Sequence, residues 1–80
     1  MPMKKSAFLR AMEEILGVPL RTLREEDSRE TIAQWTSLAD VQIFSLISSE
    51  FGIELDDEMI EAETVGDLLR VLQSKGVFRE

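Results

Sequence analysis

Trp35-Thr36-Ser37-Leu38-Ala39-Asp40-Val41-Gln42-Ile43 turns a loop into a helix. The polar pair Thr36-Ser37 ends the loop, and an apolar run then continues from Leu38 through Val41, Ile43, Phe44, Leu46 and Ile47 to Phe51. A Ser or Thr oxygen accepts a bond from the free N–H groups of a first helical turn, so the pattern predicts a helix over 37–51 entered through a hydroxyl cap. Ser37 is placed at that cap. Asp40, three residues on, answers it as in a capping box, although Glu or Gln is the commoner partner. A hydroxyl delivered to the positive end of a helix dipole stands where a phosphate group is favoured. Within the helix, Ile43, Ile47 and Phe51 lie at i, i+4 and i+8 and are expected to face the core. Leu38 and Val41 point away from that row, and Phe44 and Leu46 flank it.

The same residues resemble the acyl carrier protein family, which carries the motif Asp-Ser-Leu at the start of its second helix. Here the motif is Thr36-Ser37-Leu38, preceded by Trp35, and it looks most like the branch written Trp-Asp-Ser-Leu-Ala. Glu50-Phe51-Gly52-Ile53-Glu54-Leu55 is similar to the family's end of helix II. Thr64-Val65-Gly66-Asp67-Leu68 is similar to the opening of its last helix. Three ordered motifs, across roughly residues 4 to 76, are more specific than a lone Thr-Ser-Leu. The resemblance implies 4'-phosphopantetheine attached covalently to Ser37, with a thiol that carries acyl groups. It also implies docking of partners by Leu38, Asp40 and Val41 of helix II and by Glu58 of helix III. Those partners would be a phosphopantetheinyl transferase and acyl-processing enzymes with basic docking surfaces. The chain departs from the family at Thr36, which lacks the carboxylate that helps bind the Mg²⁺-dependent transferase. It departs again at Gln42, Ser48 and Ser49, which stand where acids often occur.

Eighty residues make one domain, spanning 1–80, with a small core. The chain has no cysteine and no histidine, so disulfides, a thiolate nucleophile, an imidazole base and Cys/His zinc sites are all excluded. Up to residue 35, six basic and six acidic groups cancel. Beyond it, ten acidic and three basic groups supply the whole net charge of −7. That sign disfavours nucleic acid and favours a basic partner surface. No stretch approaches the ~20 apolar residues of a membrane span, and Glu13 and Glu14 break the apolar residues that follow Lys4 and Lys5. A cytoplasmic monomer is expected.

A first helix is expected over 4–16, with Phe8, Met12, Ile15 and Leu16 on one face and Gly17 and Pro19 ending it. A long connection follows over 17–36, pinned by Pro19, Leu20 and Leu23 at one end and by Ile32, Ala33 and Trp35 at the other. No helical turn is assigned to the charged run Arg24–Glu30 between them. Gly52 closes helix II, and Ile53 and Leu55 are expected as buried anchors of a loop. Asp56-Asp57-Glu58 open a short third helix with Met59, Ile60 and Ala62 on its apolar side. The acids from Glu54 to Glu63 lack the ligand spacing of a calcium loop and read as a solvated face. Thr64 caps a fourth helix with Asp67 in its first turn and Val65, Leu68, Leu69 and Leu72 as its buried stripe. Lys75 and Gly76 end it, and Val77-Phe78-Arg79-Glu80 form a tail that folds back or frays.

These elements predict an all-α, four-helix bundle with a short third helix and a long helix I–II loop. Two functions fit the residues. One is a carrier loaded at Ser37. The alternative is an unmodified helical interaction module in which Ser37 only caps a helix. An enzyme is not expected, because a nucleophilic serine here would lack a histidine base.

Overall fold

The computed structural model describes residues 3–78. In α1 (Lys5–Leu16), Phe8, Met12 and Leu16 are four residues apart, share one face and are buried; Ile15 beside them is half-buried. Gly17 stops the helix at φ 70°, in the left-handed region that suits a residue without Cβ. The N–H of Val18 then reaches back to the carbonyl of Glu13 at 3.1 Å, a Schellman closure.

The second helix, α2, spans Ser37–Phe51, the predicted bounds. It buries Ala39, Ile43 and Ile47 along one row. Phe51 is half-buried at the end of that row. It meets Phe8 of α1 and Phe78 of the tail, with ring centroids 5.7–6.0 Å apart in all three pairs. The tail therefore folds back through Phe78; Arg79 and Glu80 lie outside the described residues.

The short α3 (Asp57–Glu61) starts on Asp56, whose carboxylate accepts from Met59 N–H at 3.0 Å. A helix of five residues turns one face inward. Met59 takes that face, and Ile60, a hundred degrees round, is 53% exposed rather than packed as expected. Leu55 is 45% exposed, against the expected anchor, while Ile53 is half-buried. Apolar alternation dictates burial only where a partner strand holds the pleat, and none is present among the described residues.

The last helix, α4 (Val65–Ser74), buries Val65, Leu68, Leu69 and Leu72 against Phe8, Met12, Leu16, Trp35, Ile43, Ile47 and Met59 in a single core. Thr64 and Asp67 close a full capping box: Thr64 Oγ1 accepts from Asp67 N–H at 3.0 Å, and Asp67 accepts in return from Thr64 N–H at 3.3 Å. The two N–H groups left over at the start of α4 are taken by the long connection. Val65 N–H donates to the Asp27 carbonyl at 2.9 Å and Gly66 N–H to the Glu25 carbonyl at 2.8 Å. That approach is close: a Cβ on Gly66 would sit 3.2 Å from both the Cβ and the carbonyl oxygen of Glu25.

The connection over 17–36 is held by polar groups more than by the apolar pins expected. Pro19, Leu20 and Ala33 are exposed, Leu23 and Ile32 are half-buried, and only Trp35 is buried. Glu13 of α1, 2% exposed, does the holding at one end. Its Oε2 accepts from the N–H groups of Thr22 at 2.9 Å and Leu23 at 3.0 Å. Arg21 just before them adopts φ 66°, uncommon for a side chain with Cβ, at the bend that aims these donors at Glu13. Burial pushes the Glu13 carboxyl up. The N–H groups of Leu23, Arg21 and Thr22, with the Arg10 charge, outweigh burial and hold it below its usual value. One helical turn also forms inside the connection, from Ser28 to Ile32, where Ile32 N–H reaches the Ser28 carbonyl at 2.9 Å. Four helices and no strand thus make up the described residues, and no helix among them is long and apolar enough to cross a membrane.

Candidate functional site

The cap of α2 differs from its sequence reading by one residue. Thr36, not Ser37, is the N-cap: its backbone is extended (φ −95°, ψ 178°) and its Oγ1 accepts from Ala39 N–H at 3.4 Å. Ser37 becomes the first helical residue. Either hydroxyl could have capped this helix, and only the backbone conformation separates them. The consequence is chemical. A capping hydroxyl is committed to the backbone, whereas Ser37 is exposed and its side chain makes no hydrogen bond among the described residues. The N–H groups of Ser37 and Leu38, at the first two helical positions, have no intrahelical acceptor, so a partial positive charge surrounds this hydroxyl.

Leu38 is 67% exposed and Val41 is 63% exposed. Val41 is one turn beyond Ser37, so the two share a face. The structure therefore brings Ser37, Leu38 and Val41 together on one exposed end of α2. Glu58 is exposed but belongs to α3, a separate element. Its neighbour Asp56 forms an ion pair with Lys75, which holds the Asp56 carboxyl below its usual range and raises the Lys75 ammonium.

Asp40 is turned inward. It does not close a capping box, because Ala39 occupies the position three beyond the actual cap. Its carboxylate takes a bidentate pair from Arg29, with Nε at 2.9 Å and Nη2 at 2.8 Å, and also accepts from Trp35 Nε1 at 2.7 Å. The Arg29 guanidinium lies 5.0 Å from the centre of the Trp35 ring, and its Nη1 donates to the Ala62 carbonyl at the end of α3, at 3.3 Å. One arginine of the long connection thus ties the first turn of α2 to α3. Sequence reasoning placed Arg29 in a mixed charge run of the connection. No local pattern marks it, since its partners lie 11 and 33 residues away.

No group of three or more acidic side chains among the described residues converges as a metal site would. Around Arg29 a recess of about 360 Å³ opens between Ser28, Glu30, Glu63 and Thr64, but every buried polar side-chain atom there and elsewhere among the described residues has a partner. What the α2 end offers chemically is a free primary hydroxyl on a rigid helix terminus, beside two exposed apolar side chains. No family model matches the chain, and neither a curated protein nor a solved structure matches it.

Proposed function

We propose that this chain is a carrier that holds acyl intermediates on 4'-phosphopantetheine attached at Ser37. One observation carries the proposal: Ser37 is an exposed hydroxyl with no internal partner, fixed at the first position of a helix whose cap is supplied by its neighbour. A phosphodiester at Ser37 fits this place, because the unpaired N–H groups of Ser37 and Leu38 favour an anion there. When bound, the group supplies a thiol that carries the acyl unit as a thioester. The chain's own residues would present the attachment point and dock enzymes through Leu38 and Val41. Acids of α3, including Glu58, would add attraction for basic surfaces. Four helices with a short third one and a long first connection agree with the acyl-carrier bundle that the sequence resembles.

Thr36 favours the second reading, an unmodified interaction module. It keeps the capping bond that an aspartate would make but offers no carboxylate to the transferase. The test that separates the two is intact mass after incubation with coenzyme A, Mg²⁺ and a broad-specificity phosphopantetheinyl transferase. A carrier gains one phosphopantetheine in the parent and none in Ser37→Ala. No gain, beside a control carrier that loads, sinks the proposal; Thr36→Asp then shows whether the missing carboxylate is the reason.

A further inference from the structure

We propose that Arg29, on the long connection and outside α2, is a positioning residue that presets Ser37 for modification; the inference rests on the carrier reading above. The first turn of a helix is its loosest part, because its opening N–H groups have no partner in the helix. Here that turn has little else to hold it. Ser37 and Leu38 are exposed, and the Thr36 cap bond is long at 3.4 Å. What brackets Ser37 is one network. Trp35, just before the cap, is buried, and Asp40, at the far end of the turn, is half-buried. Trp35 Nε1 and the Arg29 fork bind the same Asp40 carboxylate, at 2.7–2.9 Å. The Asp40 N–H also makes the first backbone bond of the helix, to the Thr36 carbonyl at 3.0 Å. Unwinding the turn that carries Ser37 therefore means pulling Asp40 away from Arg29.

Arg29 is itself anchored. Its Nη1 donates to the Ala62 carbonyl at the end of α3, and its guanidinium lies against the buried Trp35 ring. Its backbone sits in the helical turn from Ser28 to Ile32, and Ser28 pairs with Thr64 at the cap of α4. A two-point fork on a carboxylate fixes direction as well as distance, which a lysine at the same place does not. Without the fork, Asp40 turns to water and only a fraction of chains hold the first turn at any moment. An enzyme that needs the turn formed then binds more weakly by that fraction, while the step on the bound complex is unchanged because binding rebuilds the turn. Charge alone predicts the reverse. Losing the Arg29 cation and releasing the Asp40 carboxylate would make this end of α2 more acidic and attract a basic enzyme more strongly. The sign of the change separates positioning from charge masking.

The experiment compares the full chain with its Arg29→Lys and Arg29→Gln variants as substrates of a phosphopantetheinyl transferase, with Mg²⁺ and saturating coenzyme A. In both variants the KM for the chain should rise at least about fivefold, with kcat within about twofold of the parent. Cα chemical shifts of the unloaded chains give a second readout. Those of Ser37 to Asp40 should move at least about halfway to random-coil values, while those of α1 and α4 stay parental. Glu13→Gln, which loosens the other end of the connection, should leave both readouts at parental values. A KM in the Arg29 variants that stays parental or falls overturns the proposal while the carrier reading stands. So does an Arg29→Lys chain that behaves as the parent, by showing that charge suffices, or a like rise of KM in Glu13→Gln, by showing a general effect of stability. Parental shifts at Ser37 to Asp40 in the Arg29 variants overturn it as well, whatever the loading shows. A parent that takes no phosphopantetheine, beside a control carrier that loads, overturns the carrier reading, and the role of Arg29 in loading falls with it.

Discussion

Removing the Glu13 carboxylate should cost this domain a large part of its stability. Glu13 is 2% exposed and takes two backbone N–H groups on one oxygen. A hydrogen bond to a charged group contributes ~1.5–3 kcal/mol, and a buried donor left unpaired costs ~1–3 kcal/mol. In Glu13→Ala the Leu23 N–H, on a half-buried residue, stays unpaired, while the Thr22 N–H, on an exposed one, turns to water. Relief from burying the carboxylate returns part of the loss. The net is about 2–3 kcal/mol, set against ~5 kcal/mol for a small domain. For this size that lowers Tm by roughly 10–20 °C. Glu13→Gln keeps one acceptor oxygen for both donors and should lose only about 1 kcal/mol. Urea unfolding followed by circular dichroism at neutral pH measures both. The reasoning fails if Glu13→Ala stays within about 0.5 kcal/mol of the parent, or if Gln is as damaging as Ala.

Acid should weaken the fold through the same group. The Glu13 carboxyl is held below its usual 4.5, so the unfolded chain takes up protons first, and stability present above that value falls as pH drops through the folded one. Asp67, held down by the Thr64 N–H against a smaller opposing effect of burial, acts with the same sign. A urea midpoint that stays flat from neutral pH down to 3 would contradict this, and Glu13→Gln should flatten part of the slope. Gly66→Ala should destabilise by about 1–3 kcal/mol, although Ala is the better helix former, because its Cβ would press on the Glu25 backbone; a gain in Tm would show that the connection yields. Thr36→Ala should lose ~1 kcal/mol of capping while Ser37→Ala changes stability by less than about 0.5 kcal/mol; equal losses in thermal melts would return the cap to Ser37.

Local physics was legible in this chain, and long-range polar chemistry was not. The bounds of α2, the acids that open α3, the cap at Thr64, and the buried rows of α1 and α4 follow from periodicity and from side chains within four residues of the groups they serve. Leu20 and Leu55 misled because apolarity alone favours burial without saying what will cover a residue in a connection. Glu13 and Arg29 carry no local mark at all. Each sits beside other charged residues, and each is bonded to backbone or side chains that the fold carries to it. The candidate site shows both limits at once. The pattern located the helix end, but a shift of one residue decided which hydroxyl is spent on the backbone and which is free. The capture of Asp40 by Arg29, invisible in any local window, removed the only charge in the first turn of α2. A site reading that turns on a free hydroxyl and the network that holds it therefore depends on two facts that hydrophobic periodicity cannot carry: backbone register at a cap, and the partner of a carboxylate.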